Sequence, residues 1–346
     1  MCLTCAMLVL PGASEGRRPG ERPLPAAFAD HHLHIQSPAI TAELKRRIAR
    51  APEQFVIFSP ALLETRTGQD ALDVLDAAGI ERGVLLSMAY MFASPRAMIP
   101  AAEAPSLTRA ENTWNVEAAR ASAGRLQAFV SVNPFADFAL DELRHWAPAE
   151  GVSGLKLHLG NSDFDWRSNA DVARLAGIFA AARDMSLPLL VHVRGGGEYS
   201  PLETRRFIDE VLAHAGDNCV QIAHGGGGGG LDEATVQALA IYAEAIDRQA
   251  AGTRQMVFDL AAVLVRDSSD PATVALLRRF AQLVRHIGLE RFVMASDWPS
   301  VFAPAEHNAL VEAQIPLTAD EWQVILDNRA PYLGKTRQTS LETPSR

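Results

Sequence analysis

The chain has 346 residues, of which 48% are hydrophobic and 21% charged, enough apolar material for one large domain or two ordinary ones. A formal net charge of −9 and the lack of any Lys/Arg block argue against nucleic-acid binding, because phosphate-backbone binders need a basic surface. No apolar run approaches the ~20 residues that cross a bilayer, so no membrane-spanning helix is predicted.

The N-terminal segment leaves the compartment open. Leu3–Leu10 is apolar and Pro11–Ser14 is small and turn-like, as in a signal peptide, but no positively charged segment precedes them. We therefore favour a cytoplasmic protein, with a periplasmic or secreted one as the alternative if residues 1–14 are a signal. Residues 1–25 as a whole are predicted to be a flexible lead-in.

The three cysteines do not form a disulfide framework, because their number is odd and their spacings are unpaired. Cys2 and Cys5 lack a second ligand pair at zinc-finger spacing, so we interpret them as incidental. Cys219 lies within an apolar run and is predicted to be buried in the core.

From Phe28 onward, short apolar runs alternate with longer amphipathic stretches. Eight runs read as strands, several of them apolar on both faces as in a parallel sheet covered on both sides. The predicted strands are Phe28–His32, Gly83–Met88, Leu126–Val132, Gly154–His158, Leu189–Val193, Cys219–Ala223, Met256–Ala261 and Phe292–Ser296.

Helical periodicity fills the intervals between these strands. The predicted helices are Asp70–Ala78, Arg109–Ala123, Phe138–Trp146, Val172–Met185, Thr204–Ala215, Glu233–Gln249, Ala272–Ile287 and Ala319–Asn328. Eight such alternations predict an α/β fold, a single-domain (β/α)8 TIM barrel over residues 26–335, followed by a flexible tail at 336–346. An open doubly wound sheet is the competitor, but it would normally carry a Gly-rich turn after its first strand.

The first strand is followed by a long connection, Ile35 to Gln69. We expect this insertion to hold a helix at Thr41–Arg50 and to cover the mouth of the barrel.

Side chains that can bind metals fall at the predicted strand ends. His32 and His34 share one face because strand residues alternate, and His192, His224 and Asp297 end or follow later strands. In a barrel all these ends meet at one mouth, and a His/His/His/Asp set with an open position is typical of a catalytic metal site. Singly, His192 or His224 could be a core histidine, and Asp297 could be a turn-forming residue.

The ordered set of motifs resembles the amidohydrolase superfamily, in particular the amidohydrolase-related branch of metal-dependent hydrolases and non-oxidative decarboxylases. The resemblance covers roughly Phe28 to Leu333, and Asp327-Asn328-Arg329-Ala330 also resembles that branch. The motifs are Asp30-x-His32-x-His34, Gly154-Leu155-Lys156-Leu157-His158, Val191-His192-Val193, Ala223-His224-Gly225-Gly226 and Ala295-Ser296-Asp297-Trp298-Pro299.

The resemblance implies that His32, His34, His192 and Asp297 hold one divalent ion, expected to be Zn²⁺. Asp297 would also accept the proton of a water molecule whose pKa the ion lowers toward ~7. His224 would act beside the ion as a proton shuttle or electrophile.

Lys156 introduces a second option, because a carboxylated lysine on the fourth strand bridges two ions in binuclear members of the superfamily. We favour one ion over two, since His158 is nearer the strand end and Lys156 is expected to lie deeper. His158 is then a substrate contact or a partner of a metal ligand.

Three further features could shape a substrate pocket. Arg194 could clamp a carboxylate or form a surface salt bridge. The glycine run Gly225 to Gly230 could let main chain approach a ligand or be a flexible connection. Trp298 could wall the pocket or pack on the barrel rim.

The favoured function is a metal-dependent hydrolase that cleaves an amide, ester or lactone in a small molecule. The alternative is a metal-dependent decarboxylase of a small aromatic or unsaturated acid. A third hypothesis is a binding barrel that has lost its ion. A small-molecule substrate is expected, with no nucleic-acid or membrane partner, and a homodimer is plausible for this branch.

Overall fold

Eight parallel strands in the order β1 to β8 form the centre of the molecule, which is a computed structural model describing residues 24–52, 59–194 and 200–334. The strands are β1 Ala29–Leu33, β2 Arg82–Leu86, β3 Leu126–Ser131, β4 Val152–His158, β5 Leu189–His192, β6 Val220–Ile222, β7 Met256–Asp259 and β8 Phe292–Val293. The chain just past β8 runs beside β1, where the amide of His31 donates to the carbonyl of Met294 at 3.0 Å. The predicted (β/α)8 barrel is confirmed.

Ten α-helices of the described residues surround this barrel or cover its ends. They are α1 Pro38–Arg50, α2 Gly68–Ala77, α3 Ala104–Ala121, α4 Ala139–Trp146, α5 Asn169–Asp184, α6 Pro201–Arg206, α7 Glu233–Asp247, α8 Pro271–Ile287, α9 Pro304–Gln314 and α10 Ala319–Asp327. Side chains of Thr67, Asp232 and Asp270 cap the N-termini of α2, α7 and α8, which satisfies amide groups that the first helical turn leaves free.

One predicted helix needs correction, and one observed helix was not predicted. The single helix expected over Thr204–Ala215 is divided into α6, a π-helical turn at Phe207–Val211 and a 3-10 turn at Leu212–Ala215. Helix α9 was not predicted, because its buried face carries the polar residues His307 and Asn308 and so lacks an apolar repeat.

The last two strands are shorter than predicted. Strand β7 ends at Asp259 and β8 has two residues, because beyond Val293 the chain continues along β1 rather than β7. This return pairs Leu33 with Trp298 and brings Asp297 to the end of β1, where its amide donates to the carbonyl of His32 at 2.9 Å.

The insertion after β1 covers the barrel mouth, as expected. Its helix α1 and the 3-10 turn at Pro60–Leu63 pack on the segment after β2, in an apolar cluster that includes Leu44, Leu62 and Met91. Residues 53–58 of the insertion lie outside the described residues.

Cys219 is buried at the start of β6, as predicted. Cys2, Cys5, residues 1–14 and the tail at 336–346 lie outside the described residues. Of the helices described, none combines the length and the apolar character needed to span a membrane.

Candidate metal centre

A cavity of about 740 Å³ opens at the C-terminal ends of the strands, where barrel enzymes place their active sites. Its wall contains seven of the predicted site residues: His32, His34, Lys156, His158, His192, His224 and Asp297.

His32, His34 and Asp297 meet at the floor of this cavity. Oδ1 of Asp297 lies 3.2 Å from Nε2 of His34 and 3.4 Å from Nε2 of His32, and the three ligand atoms lie within 4.8 Å of one another. Nitrogen and oxygen ligands about 2.0–2.2 Å from a tetrahedral ion lie ~3.3–3.6 Å apart. The two distances to Asp297 therefore fit the spacing of ligands around a divalent cation.

Both histidines have the hydrogen bond that a metal ligand needs on its other ring nitrogen. Nδ1 of His34 lies 2.7 Å from the carbonyl oxygen of Leu86, and Nδ1 of His32 lies 3.1 Å from Oδ2 of Asp259. Since these oxygens accept, both Nδ1 atoms carry a proton, so each ring in its neutral form has its Nε2 lone pair toward Asp297, as a metal ligand would.

Asp259 is a residue of the site that sequence reasoning missed. It is fully buried at the C-terminal end of β7, in the run Met256-Val257-Phe258-Asp259. The predicted seventh strand extended to Ala261 and so placed Asp259 inside the strand, whereas the observed strand ends at this carboxylate.

Asp297 has an unusual backbone as well as an unusual charge environment. Its φ of 61° lies in the left-handed region, which few residues other than glycine, Asn and Asp adopt. Burial alone would raise the pKa of its carboxyl, but the neighbouring imidazoles of His34, His32 and His224 hold that pKa well below its usual value. Asp297 is therefore an ionised carboxylate and an available ligand or base.

His192 and His224 form a separate pair in the same cavity. Nε2 of His224 lies 3.1 Å from Nδ1 of His192, and Nδ1 of His224 lies 2.7 Å from the carbonyl oxygen of Ala261. The group within 4.8 Å contains His32, His34 and Asp297 but not His192, the fourth ligand predicted from the sequence. The ring of His224 lies 5.0 Å from that of His32, so the pair borders the three-residue group.

Three histidines of the cavity, His32, His158 and His192, are held neutral by their surroundings. Burial lowers the pKa of His32, His158 and His192 well below the usual value, and neighbouring imidazoles and the Lys156 ammonium lower it further. His158 stacks on His192 with ring centroids 4.1 Å apart and planes 9° apart. Neutral imidazole is the form that binds metals.

Lys156 reaches the floor of the cavity despite its position one pleat below His158. Its Nζ lies 3.4 Å from Nε2 of His32. Burial lowers the pKa of this amine to about 8, against the opposing effect of Asp259 and Asp297. The amine is thus close enough to affect any cation bound by His32.

Arg194 and Trp298 lie beside the cavity and are not among the described residues that line it. Both terminal nitrogens of Arg194 lie 2.8 Å from the carboxylate of Asp232, the residue that caps α7. The indole of Trp298 is buried in the main apolar core, with the guanidinium of Arg66 5.8 Å from its ring.

The glycine run reaches the cavity wall through Gly228, Gly229 and Gly230. Gly229 and Gly230 have φ of +87° and +80°, a conformation that side chains disfavour. Its far end is anchored, since the amide of Gly230 donates to the carbonyl of Ala262 at 2.7 Å.

The outer part of the cavity was not predicted from motifs, and it combines apolar residues with charged ones, among them Arg266, Asp267 and Asp270. One side is formed by the insertion and the segment after β2, and the other by the loops after β6 and β7. These walls contain Leu44, Leu62, Met88, Met91, Leu231, Leu264, Val265, Leu276 and Val301.

The fold and the cavity define the class: a (β/α)8 barrel whose strand ends gather histidines and an aspartate. A family model described as amidohydrolase matches residues 29–328, and the chain belongs to that family, whose solved relatives include hydrolases and decarboxylases.

Solved structures share this fold at low sequence identity. A 5-carboxyvanillate decarboxylase of Novosphingobium aromaticivorans, complexed with manganese, is 14% identical over 88% of this chain and 94% of that one, with a TM-score of 0.55. A candidate 2-pyrone-4,6-dicarboxylic acid hydrolase of Pseudomonas putida is 18% identical over 90% and 98%, with a TM-score of 0.54. A zinc-bound amidohydrolase of Burkholderia multivorans is 14% identical over 87% and 96%, with a TM-score of 0.52. No curated protein matches the sequence.

Proposed function

We propose that the protein is a metal-dependent hydrolase that cleaves an amide, ester or lactone bond in a small molecule. One observation carries this proposal: an ionised carboxylate, Asp297, lies 3.2 and 3.4 Å from two histidine nitrogens whose lone pairs face it. His32, His34 and Asp297 would hold one divalent ion, with His192 as the fourth ligand. Zinc suits this set of nitrogen and oxygen donors, and the solved relatives with zinc or manganese are consistent with such an ion.

A divalent ion at this site would supply Lewis acidity, which makes water a better nucleophile and a carbonyl a better electrophile. The proton of the attacking water would pass to Asp297, because that carboxylate is held ionised beside the ligands. His224 keeps Nδ1 on the carbonyl of Ala261, so any proton that it exchanges with a substrate moves at Nε2. His224 would in this way polarise the substrate oxygen or give a proton to the leaving group.

Two of the three arginines at the cavity are held in ion pairs, which weakens the case for decarboxylation. Arg47, which lines the cavity, is bound to Glu43 at 2.8 Å, and Arg194 is bound to Asp232. Each would reach a substrate carboxylate only if its ion pair opened. The third, Arg266, is exposed in the outer cavity, whose lining also includes Asp267 and Asp270. The apolar residues of the outer cavity also suit a substrate with an uncharged, apolar part.

Decarboxylation remains the second candidate because of Lys156. Among the described residues this buried amine makes no ion pair with a carboxylate, and its Nζ lies 3.4 Å from Nε2 of His32. A substrate carboxylate placed between Lys156 and an ion would have its charge balanced on both sides. This arrangement would suit a small aromatic or unsaturated acid.

Isotope incorporation separates the two reactions. The zinc-loaded protein is incubated in ¹⁸O-labelled water with uncharged lactones and esters, and in parallel with aromatic carboxylic acids, while carbon dioxide release is followed. Hydrolysis predicts one ¹⁸O in the product and no carbon dioxide, and the His34→Ala variant should lack the activity. Carbon dioxide release by the wild type that His34→Ala abolishes would instead establish the decarboxylase. A wild type that takes up no divalent ion on reconstitution would overturn both.

A further inference from the structure

We propose that Asp259 is the positioning residue of the metal site: it fixes the tautomer of His32 and the backbone of His224 together. This inference rests on the proposed metal site, but it concerns a residue outside the set predicted to touch the ion.

Asp259 accepts four hydrogen bonds with its two carboxylate oxygens. Oδ2 receives the amide of Gln221 at 2.7 Å and Nδ1 of His32 at 3.1 Å. Oδ1 receives the backbone amides of His224 at 2.8 Å and Ala261 at 3.2 Å. Asp259 is fully buried, and the Gln221 nitrogen and the two backbone amides can only donate to it, so we infer that His32 also donates, through Nδ1.

The direction of these hydrogen bonds is fixed from outside the site. Gln221 must turn its amide nitrogen to Asp259, and its oxygen then accepts from the phenol of Tyr332. Tyr332 lies in the segment after α10 and is buried at the base of the barrel. Tyr332, Gln221 and Asp259 therefore form a chain of donors and acceptors that ends on Nδ1 of His32.

The contact with Asp259 leaves the Nε2 lone pair of His32 free for a cation. The other oxygen acts on His224, whose backbone lies in the left-handed region with φ of 56° and ψ of 34°. Asp259 accepts from the amide of that residue, and such a conformation persists only where the surroundings hold it. One carboxylate thus stabilises both a proposed ligand and the proposed proton-transfer residue.

The Asp259→Asn variant keeps the shape of the side chain but cannot make all four contacts. If the amide oxygen faces His224 and Ala261, the amide nitrogen faces two donors, Gln221 and His32. His32 would then relieve the conflict by moving its proton to Nε2, which blocks the lone pair that faces Asp297. Loss of such an outer partner typically weakens metal binding by about 10–100-fold.

Cobalt affinity tests the inference without a substrate. The dissociation constant of Co²⁺ is measured by chelator competition for the wild type, Asp259→Asn, His32→Gln and the double variant. We expect Asp259→Asn to weaken binding by about 10–100-fold, and to add little once His32 is already replaced, because the effect passes through that ring. Equal affinities of wild type and Asp259→Asn, or fully additive losses, would overturn the inference.

Glu142→Gln is the matched control, because Glu142 is also a buried carboxylate that accepts from several donors, Asn112, Trp146 and Arg109 among them. It lies on α4 outside the site, so it should lose stability without losing cobalt affinity. Should Asp259→Asn fail to fold, histidine-selective ¹⁵N NMR of the wild type still reports which ring nitrogen of His32 carries the proton. A metal-free His32 protonated at Nδ1 supports the inference, and one protonated at Nε2 overturns it.

The cobalt measurement also separates this inference from the proposed function. A wild type that binds no cobalt refutes the metal site itself. Tight binding by the wild type with no effect of Asp259→Asn refutes only the role of Asp259.

Discussion

Nζ of Lys156 lies 3.4 Å from Nε2 of His32, the nitrogen that would bind a cation. An ammonium at that distance opposes a divalent ion, and burial already lowers the pKa of the amine to about 8. We therefore expect Lys156 to be in one of two states in the metal-bound protein: a neutral amine beside a single ion, or a carboxylated lysine between two ions.

Replacing Lys156 with Met distinguishes these states. We expect one ion per chain in both wild type and Lys156→Met, with binding at pH 7 at least about tenfold tighter in the variant because a nearby positive charge is gone. Elemental analysis gives the count and chelator competition gives the affinity. The exposed Lys45→Met is the control. Two ions in the wild type that fall to one or none in Lys156→Met would establish the carboxylated lysine instead.

The Asp297→Asn variant should keep its fold but lose function. Asn tolerates the left-handed backbone of this position, so little strain is added. The amide is a poor ligand and cannot accept a proton, so we expect turnover to fall by about 10²–10⁴-fold and bound metal to decrease. Metal content, thermal unfolding and turnover are measured on the same preparation. Unchanged turnover would remove Asp297 from the mechanism.

Replacements of His192 and His224 are expected to differ in their effect on metal content. As the proposed fourth ligand, His192 should lower metal content when replaced by Ala. His224→Asn should retain the metal but lose turnover, because Asn suits the left-handed backbone and cannot transfer a proton at Nε2. Elemental analysis of both variants checks this contrast. If His192→Ala keeps a full complement of metal, the role of His192 is confined to its contacts with His158 and His224.

Glu111 predicts a pH dependence of stability away from the metal site. It is buried on α3, and burial raises the pKa of its carboxyl from 4.5 to about 8, although hydrogen bonds from Ser37 and Asn115 work against the change. Between these two values the folded state binds the extra proton and the unfolded state does not. This group therefore makes the protein less stable as pH rises from about 4.5 to about 8, with little further change above that range.

The Glu111→Gln variant should lose this contribution. Urea unfolding of both proteins at pH 5, 6.5 and 8 should show the stability difference shifting in favour of the variant, by at most ~1.4 kcal/mol per pH unit. Gln69→Glu, at an exposed position on α2, supplies a control for an added surface carboxylate. A stability difference that does not vary with pH would show that Glu111 is ionised in the folded protein.

Local sequence signals were sufficient to predict the barrel. Alternation of short apolar runs with helical periods is a property of neighbouring residues, and it located all eight strands. The same rule placed His32, His34 and Asp297 at one mouth, because parallel strands in a barrel end on one face. Prediction from local pattern was less successful where tertiary contacts override local preference. Examples are the helix divided at the end of α6 and the polar buried face of α9.

The residue types at the strand ends were thus set by the sequence, while their partners were decided by the tertiary structure. Whether Arg194 meets a substrate or Asp232, and whether Lys156 reaches His32, depends on side-chain directions that no local pattern contains. The contact between His32 and Asp259 joins residues 227 positions apart. It exists because closure of the sheet sets the ends of β1 and β7 across one pocket, at a distance that only the assembled barrel determines.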